Sequence, residues 1–345
     1  MHSYASIRIL TVFLTYALYT RAEANDKLAN FYLSGLRECQ DGIRSASVVG
    51  TGVRRTMEVS VVDSRLQIGR IRRETPITIE WFLDRSSVRF SRREDQIDGS
   101  VIVTEDAVTS YQKSEHVVKS HKQTAYSQRI GFFDVRMIGQ MSLAELESGK
   151  SMDWLRQQVG NRDPVEVSVV DDLCKISWVY PQQKLAGEVR RTLWIDGANG
   201  FTPVRLELRA RPPESNIDWS NLPLMSWVEV VWSQSNDVWI PTATKMTAAY
   251  GEEEVELNLE WQNINGKVPA AEFTVNKIRA PDGTYVVDER LGTPIIESIL
   301  GEPKTSSKLS SYAWAKTLIL INVVLIVVLI IWIRHKRTNT IHQHG

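Results

Sequence analysis

The sequence has few cysteines and no excess of charge of either sign. Cys39 and Cys174 are its only cysteines in 345 residues, too few for a disulfide-built mini-protein or a cysteine-rich zinc module. The 41 basic residues balance the 41 acidic residues, whereas a general nucleic-acid binder normally carries a clear basic excess. The 43% hydrophobic and 24% charged residues are ordinary for a folded protein. We therefore expect a folded protein with no nucleic-acid partner.

Catalytic and metal-binding motifs are also scarce. Four of the six histidines lie in the two terminal segments, and His116 and His121 lack the spacing of a zinc site. The sequence has no nucleophile elbow, no P-loop and no G-x-G-x-x-G. Adjacent carboxylates, such as Asp171 and Asp172, lie in turn-like polar sequence. These gaps predict a protein that is not an enzyme and has no cofactor and no metal. The alternative is an envelope hydrolase whose site is not local in sequence.

The first 24 residues have the pattern of a secretory signal peptide. Arg8 supplies the basic part, residues 9–19 supply a short apolar stretch, and an A-x-A cleavage site ends at Ala24. The apolar stretch is short for a membrane span, so a cleaved signal is favoured over the alternative of an uncleaved anchor.

The other end of the chain has the pattern of a transmembrane helix. Ala313 to Ile333 is apolar except for Lys316, Thr317 and Asn322, and as a helix it spans about 31 Å, which matches a hydrocarbon core. Aromatic residues flank the span and basic residues follow it, which places the tail 334–345 in the cytoplasm. The candidate anchor residues are Trp314, Trp332, Arg334, Lys336 and Arg337. Both ends therefore predict a single-pass protein with its bulk outside the cytoplasm.

The expected compartment is the periplasm of a bacterium, with the protein in the inner membrane. None of the thirteen asparagines lies in an N-x-[ST] sequon, which favours a bacterial envelope protein over a glycosylated eukaryotic one. This compartment permits disulfides, so Cys39 and Cys174 are a candidate pair. Two buried free thiols are the alternative.

The region 25–300 is predicted to be mainly β, a large curved antiparallel sheet with a few helices. Apolar and polar residues alternate in four stretches, which is typical of strands with one buried and one wet face. Turn signals such as Asp196-Gly197 and Asn265-Gly266 fall between the strands. The alternating stretches are 77–83, 204–208, 228–232 and 255–261. Residues 301–312 are predicted to be a polar linker.

Three helices are expected among these strands. The first is Asp26–Gln40, with an apolar stripe that includes Leu28, Phe31 and Leu36. The second opens with a capping box at 142–145 and continues through 151–159. The third opens at Thr293-Pro294 and runs to Leu300.

Three segments carry a resemblance to a known family. They read RRTLWIDGANGFTPVRLEL from Arg190 to Leu208, VWIPTATKMT from Val238 to Thr247, and LEWQNINGKVPAAEFTV from Leu259 to Val275. Their order and hairpins resemble the periplasmic lipoprotein-carrier superfamily, which includes LolA, its mycobacterial-type lipoprotein relatives and RseB. The resemblance covers 188–275 best and 26–62 more weakly. Anchoring by 313–333 departs from soluble carriers, which diffuse freely.

The resemblance implies a half-closed antiparallel barrel with a helical lid, no catalytic residue, and a lipid or acylated ligand. The predicted cavity residues are Trp178, Trp194, Trp227, Trp232 and Trp261. A core role for these tryptophans is the alternative, since a packed sandwich gives the same alternation. The leading hypothesis is a membrane-anchored protein that binds an apolar ligand without catalysis. The alternative is an envelope sensor or scaffold that binds a protein partner, for example another membrane protein.

A run of ten arginines between Arg54 and Arg93, against five acidic residues, is a further feature. A solvated convex face is the simpler interpretation, and attraction to anionic head groups is the other.

Overall fold

A computed structural model describes most of the region between the two predicted membrane-targeting segments. The described residues are 25–62, 65–95, 97–122, 133–148, 154–155, 164, 166–181, 187–290 and 292–301. The predicted signal peptide, transmembrane helix and cytoplasmic tail lie outside them, as do all five candidate anchor residues and the predicted linker apart from Gly301. Within the described ranges, no helix has the length and apolar character needed to cross a membrane.

Fifteen strands form one sheet. They are β1 (Ser45–Val62), β2 (Arg65–Asp84), β3 (Ser87–Glu94), β4 (Ile97–Val103), β5 (Ala107–Gln112), β6 (Val117–Lys122), β7 (Glu166–Val170), β8 (Leu173–Pro181), β9 (Glu188–Asp196), β10 (Thr202–Arg211), β11 (Leu224–Ser235), β12 (Val238–Ala248), β13 (Glu253–Gln262), β14 (Tyr285–Asp288) and β15 (Ile295–Ile299). Their spatial order is β15-β14-β6-β5-β4-β3-β2-β1-β13-β12-β11-β10-β9-β8-β7. Within the described residues, the paired strands are antiparallel except for β14 with β6. The prediction of a mainly β protein built on a large curved antiparallel sheet is confirmed, and the sheet is open.

The predicted alternation corresponds to real burial. In β13, Val255, Leu257 and Leu259 are buried, while Asn258 and Glu260 in the other alternation phase are exposed. The stretches 77–83, 204–208 and 228–232 lie in β2, β10 and β11. The β11–β12 hairpin turns at Asn236 and Asp237, which both have positive φ, as a type I′ turn requires.

Two of the three expected helices are present in the described residues. Helix α1 spans 25–41, as predicted. Helix α2 (Leu143–Glu147) begins at the predicted capping box, in which the Ser142 amide donates to Glu145 Oε2 at 2.9 Å and the Ser142 hydroxyl accepts from the Glu145 amide. Of its expected continuation at 151–159, only residues 154–155 are described, and both are helical. Short 3-10 helices lie at Val135–Met137, Trp219–Asn221, Ala249–Gly251, Ala270–Phe273 and Val275–Lys277.

The helix expected from Thr293 to Leu300 is wrong, because this segment contains strand β15. Ile295 and Ile296 are β-branched, and the segment pairs with β14, where Ile299 lies opposite Tyr285. The backbone N–H and C=O groups of this segment form hydrogen bonds with β14. This pairing outweighs the local preference for a helix that begins at a proline.

The two faces of the sheet are covered differently. The main core lies on one face, which we call the covered face, and includes Val48, Trp81 and Leu257 beneath helix α1 and residues 133–148. We call residues 133–148 the strap. A smaller core, which includes Tyr111 and Val118, lies on the opposite face near β4–β6.

Candidate functional site

The strap begins at one half of the covered face. The Trp81 indole N–H on β2 donates to the Phe133 carbonyl at 2.9 Å. The Phe133 ring lies 5.4 Å from the Trp81 ring and 5.8 Å from the Phe90 ring on β3, measured between centroids. This aromatic cluster fixes the start of the strap with a buried hydrogen bond as well as apolar contact.

The strap then reaches the other half of the sheet. A Cβ added to Gly139, which has φ of 88°, would lie 2.6 Å from the Pro203 carbonyl on β10, so only glycine fits this approach. One step further on, Arg191 on β9 donates to the Gln140 carbonyl at 2.7 Å and forms an ion pair with Glu145 of helix α2. Arg191 is only 1% exposed.

Helix α2 also returns to the first half. Glu147 forms ion pairs with Arg54 on β1 and with Arg92 on β3, the latter at 2.9 Å. Both arginines also pair with Glu94, which Arg54 Nε approaches to 2.6 Å. The covered face therefore contains a buried ionic cluster at the place where the strap ends.

This double attachment shows how strongly the sheet curves. Five strand spacings separate β1 from β9 in the sheet order, about 24 Å along the sheet at roughly 4.8 Å each. Glu145 and Glu147, two residues apart, contact arginines of β9 and β1. Because a five-residue helix is only about 7.5 Å long, the two halves of the sheet must fold toward each other around it.

The electrostatics of the cluster favour the charged forms. Burial alone disfavours the Arg191 charge, but attraction to Glu145 outweighs it and raises the pKa of Arg191. The same balance, with Glu147 and Glu94 as the attracting groups, raises the pKa of Arg54. Removing one partner from such a buried pair leaves an uncompensated charge, which typically costs about 3–5 kcal/mol.

Three of the five predicted cavity tryptophans lie on the covered face. Trp178 is buried on β8 directly opposite Arg191. Trp232 and Trp261 are half-buried at the margin of the main core, and their indole N–H groups donate to the carbonyls of Pro203 at 3.0 Å and Pro241 at 2.6 Å. On the covered face, the indole N–H groups of Trp232 and Trp261 are therefore already paired with the backbone.

The other two predicted tryptophans lie on the opposite face. Trp194 has the Arg205 guanidinium 5.7 Å from its ring and lines a polar recess of about 220 Å³. Trp227 lies in the same alternation phase of β11 as the exposed Glu229 and Val231, which line a groove of about 570 Å³. The structure does not bring these two together with the covered-face tryptophans.

The structure has both cysteines as free thiols, and a Cys39–Cys174 disulfide stays a prediction. Cys39 lies in the last turns of helix α1, whereas Cys174 is buried on β8. Cys174 is close enough to Tyr32 to contribute, after burial, to the raised pKa of that phenol. Burial raises the pKa of each thiol to about 11.

Most of the described arginines in the predicted basic run are paired within the molecule, which corrects the interpretation of a simple solvated face. Arg54 and Arg92 belong to the ionic cluster, and Arg55 contacts three glutamates. Arg89 is buried, pairs with Glu272 at 2.7 Å and lies 3.9 Å from the centre of the Phe82 ring. Among the exposed members, three lie on β2, one in the turn after it and one on β3: Arg70, Arg72, Arg73, Arg85 and Arg93.

Sequence analysis missed the ionic cluster, although a signal for it exists. In β9, Arg191 occupies the same alternation phase as Val189, Leu193 and Ile195, all of them buried. A charged residue in an apolar phase indicates a buried ion pair. Glu145, which the sequence indicates as part of the capping box, has that role and is also the ion-pair partner of Arg191.

The described residues contain no group of three or more His, Cys, Asp or Glu side chains that could hold a metal ion.

No family model and no curated protein matches the sequence. The structure is similar to a DUF1329 family protein from Desulfovibrio piger, with a TM-score of 0.42 and 8% identity over 73% of this chain and 98% of that chain. It is also similar to a LolA superfamily protein from Nitrosomonas europaea, with a TM-score of 0.39 and 12% identity over 71% of this chain and 98% of that one. A third is a domain from Vibrio parahaemolyticus named for outer membrane lipoprotein sorting, with a TM-score of 0.36 and 12% identity over 74% and 98% of the two chains. These names agree with the resemblance found in the sequence, and at such TM-scores the likeness carries no argument about function.

Proposed function

We propose that this chain is a membrane-anchored periplasmic protein that binds an apolar ligand, a lipid or another acylated molecule, beneath the strap. The carrying observation is that an open sheet has its apolar face covered by the strap, which is fastened to both halves of the sheet through the ionic cluster. A cover of this kind is attached by side chains, whereas strands are attached by continuous backbone pairing. Its contacts can therefore be released while the sheet stays intact.

The energetics permit such an exchange. Apolar surface removed from water contributes about 25 cal/mol per Å², whichever partner covers it. An acyl chain that takes the place of strap residues such as Met141 and Leu143, both buried, restores most of that burial. Trp178 and Trp261 supply broad rings on the covered face, which suit the flank of an alkyl chain.

The anchor and the orientation follow from the sequence alone. In this proposal the signal peptide is removed, 313–333 spans the inner membrane, and the basic tail stays in the cytoplasm. The binding domain then stays close to a lipid surface, from which an apolar ligand can enter without crossing water.

The test uses the full chain in lipid nanodiscs with photoactivatable palmitate. We expect crosslinks in peptides of β8 and β13, next to Trp178 and Trp261, and competition by unlabelled palmitate. Crosslinks confined to residues beyond 312, or signals that palmitate does not compete, would refute ligand binding beneath the strap.

Two half-buried tryptophans give a matched pair of variants for the same experiment. Trp261→Ala removes a ring from the covered face, so saturable crosslinking should fall about tenfold if the ring contributes roughly 1.4 kcal/mol to binding. Trp227→Ala removes a ring from the opposite face and should leave crosslinking unchanged. Equal effects of the two variants would contradict the assignment to the covered face.

A further inference from the structure

The outer parts of β1 and β2 form a ribbon that leaves the sheet. β1 last pairs with β13 at Thr56, and β2 first pairs with β3 at Ile77. Between these points, 57–62 and 65–71 pair only with each other, with two register shifts near Met57. Six residues of β1 extend roughly 20 Å at about 3.3 Å per residue. We call the described residues 57–60 and 67–74 the arginine ribbon.

The side chains of the arginine ribbon are unusually exposed. All eight residues from Gln67 to Glu74 are exposed, whereas a strand in a covered sheet buries alternate residues. Ile68 is 57% exposed and Ile71 is 49% exposed. Two apolar side chains this exposed on a projecting ribbon are costly in water unless another surface covers them.

The ribbon is also basic along β2. Residues 65–73 contain four arginines and no acidic residue. The Arg70 side chain is 84% exposed, and its ion pair with Glu58 at 3.2 Å is itself open to water, so this pair is weak. Arg72 is exposed too, whereas Glu74 is held by Arg55. Exposed arginines beside exposed isoleucines are the combination that binds membrane interfaces.

The base of the ribbon is braced against the sheet. The Met57 amide donates to the Glu252 carbonyl at 2.7 Å, in the turn between β12 and β13. Ile68 packs against Gly251 in the same turn: a Cβ added to this glycine would lie only 2.5 Å from Ile68 Cδ1. These contacts direct the ribbon away from the end of the sheet.

The described chain ends at the same end of the sheet. From β1 to β6 each pair is antiparallel, so β6 starts, at Val117, at the end from which the ribbon projects. Tyr285 of β14 lies opposite Val117 in the parallel pair, and Ile299 of β15 lies opposite Tyr285. The chain therefore leaves the described structure, after Gly301, toward the ribbon side. The twelve residues 301–312 reach at most about 40 Å, enough to pass a ribbon of 20 Å.

We infer that the arginine ribbon docks on the anionic lipid head groups of the membrane that holds 313–333. The inference rests on the anchoring in the proposed function and adds a second contact with the same membrane. The linker brings the ribbon end of the sheet to the lipid surface, the arginines face phosphate groups, and Ile68 and Ile71 enter the interface. A ribbon and a linker that meet the membrane at one end fix the orientation of the covered face above it.

The test measures amide hydrogen exchange of the full chain in nanodiscs of phosphatidylcholine alone and of phosphatidylcholine mixed with phosphatidylglycerol. We expect slower exchange at 57–60 and 67–74 only in the anionic discs. The protection should disappear in roughly 1 M salt, where the Debye length falls to about 3 Å. Arg70→Gln with Arg72→Gln should reduce the protection by about fivefold or more for each charge removed.

A charge-matched control distinguishes local docking from a general charge effect. Arg44 and Arg85 are exposed at the opposite end of the sheet, so Arg44→Gln with Arg85→Gln should leave the protection intact. If the chain stays in the discs but the ribbon exchanges equally in both lipids, docking is wrong and anchoring stands. If the chain does not stay in the discs, the anchoring itself fails. Protection in both lipids that grows with the number of chains per disc would assign the ribbon to a second copy instead.

Discussion

At the residue scale, Arg191 decides how the strap is held. It stands among apolar residues on β9 and pairs with Glu145, so its loss leaves a largely buried carboxylate without a partner. We expect Arg191→Met to lower the free energy of unfolding by about 3–5 kcal/mol. Glu145→Gln keeps the capping box and removes the charge, so the double variant should recover more than half of that loss. Urea unfolding followed by tryptophan fluorescence measures both, and additive losses would show that the two residues are not coupled.

The thiols give a second prediction at this scale. With a pKa of about 11, each cysteine is about one thousandth thiolate at pH 8, so iodoacetamide should label neither in the native protein. Labelling should rise as the pH approaches 11, provided that the fold persists. Unfolding without reductant should expose two reactive thiols, counted by mass spectrometry. Labelling that needs a reductant would show instead that Cys39 and Cys174 are bridged.

At the element scale, the sequence predicted those features of a strand or helix that depend only on residues close together in the chain. The alternation in β13 reports one buried and one wet face, and the capping box at Ser142 reports the start of helix α2, because both depend on neighbours in the chain. β15 was mistaken for a helix because its partner β14 imposes the extended form. The ionic cluster joins Arg54, Glu147 and Arg191 from distant parts of the chain. Local sequence patterns do not predict which of these distant charged residues will be in contact.

The stability of the β14–β15 edge of the sheet should depend on pH through Asp288 at the end of β14. Side-chain hydrogen bonds from Arg290, and then its amide, lower the pKa of Asp288 to about 2. The stabilisation is therefore complete above the unfolded pKa near 3.9 and is lost as the pH falls toward 2. Asp288→Asn should weaken β14 by less than about 1 kcal/mol at pH 6, since water screens the pair. Amide exchange in β14 and β15 checks this, and a difference between the two proteins that persists at pH 2 would contradict it.

At the scale of the whole molecule, the strap joins two halves of a sheet whose edges, β7 and β15, are not paired with each other. Glu145 and Glu147 connect β9 to β1 and β3 across this curved face. The arginine ribbon lies at one end of this sheet, and the turns beside helix α1 lie at the other. A ligand that displaces the strap would therefore let the halves separate while the ribbon end stays near the membrane.

Glu147 is the place to test this coupling between cover and sheet. Glu147→Gln removes its charge from Arg54 and Arg92, which keep Glu94 as a partner, so the strap is loosened without leaving either arginine unpaired. If opening the strap limits ligand entry, weakening the closed form by roughly 1.4 kcal/mol should speed uptake of a neutral apolar fluorescent probe about tenfold. Stopped-flow fluorescence on the full chain in nanodiscs measures the rate. The matched control is Glu229→Gln, which breaks the exposed pair with Arg205 on the opposite face and should change nothing. Uptake that is equally fast in both variants and in the unaltered protein would mean that the strap does not open, and that an apolar ligand enters by another route.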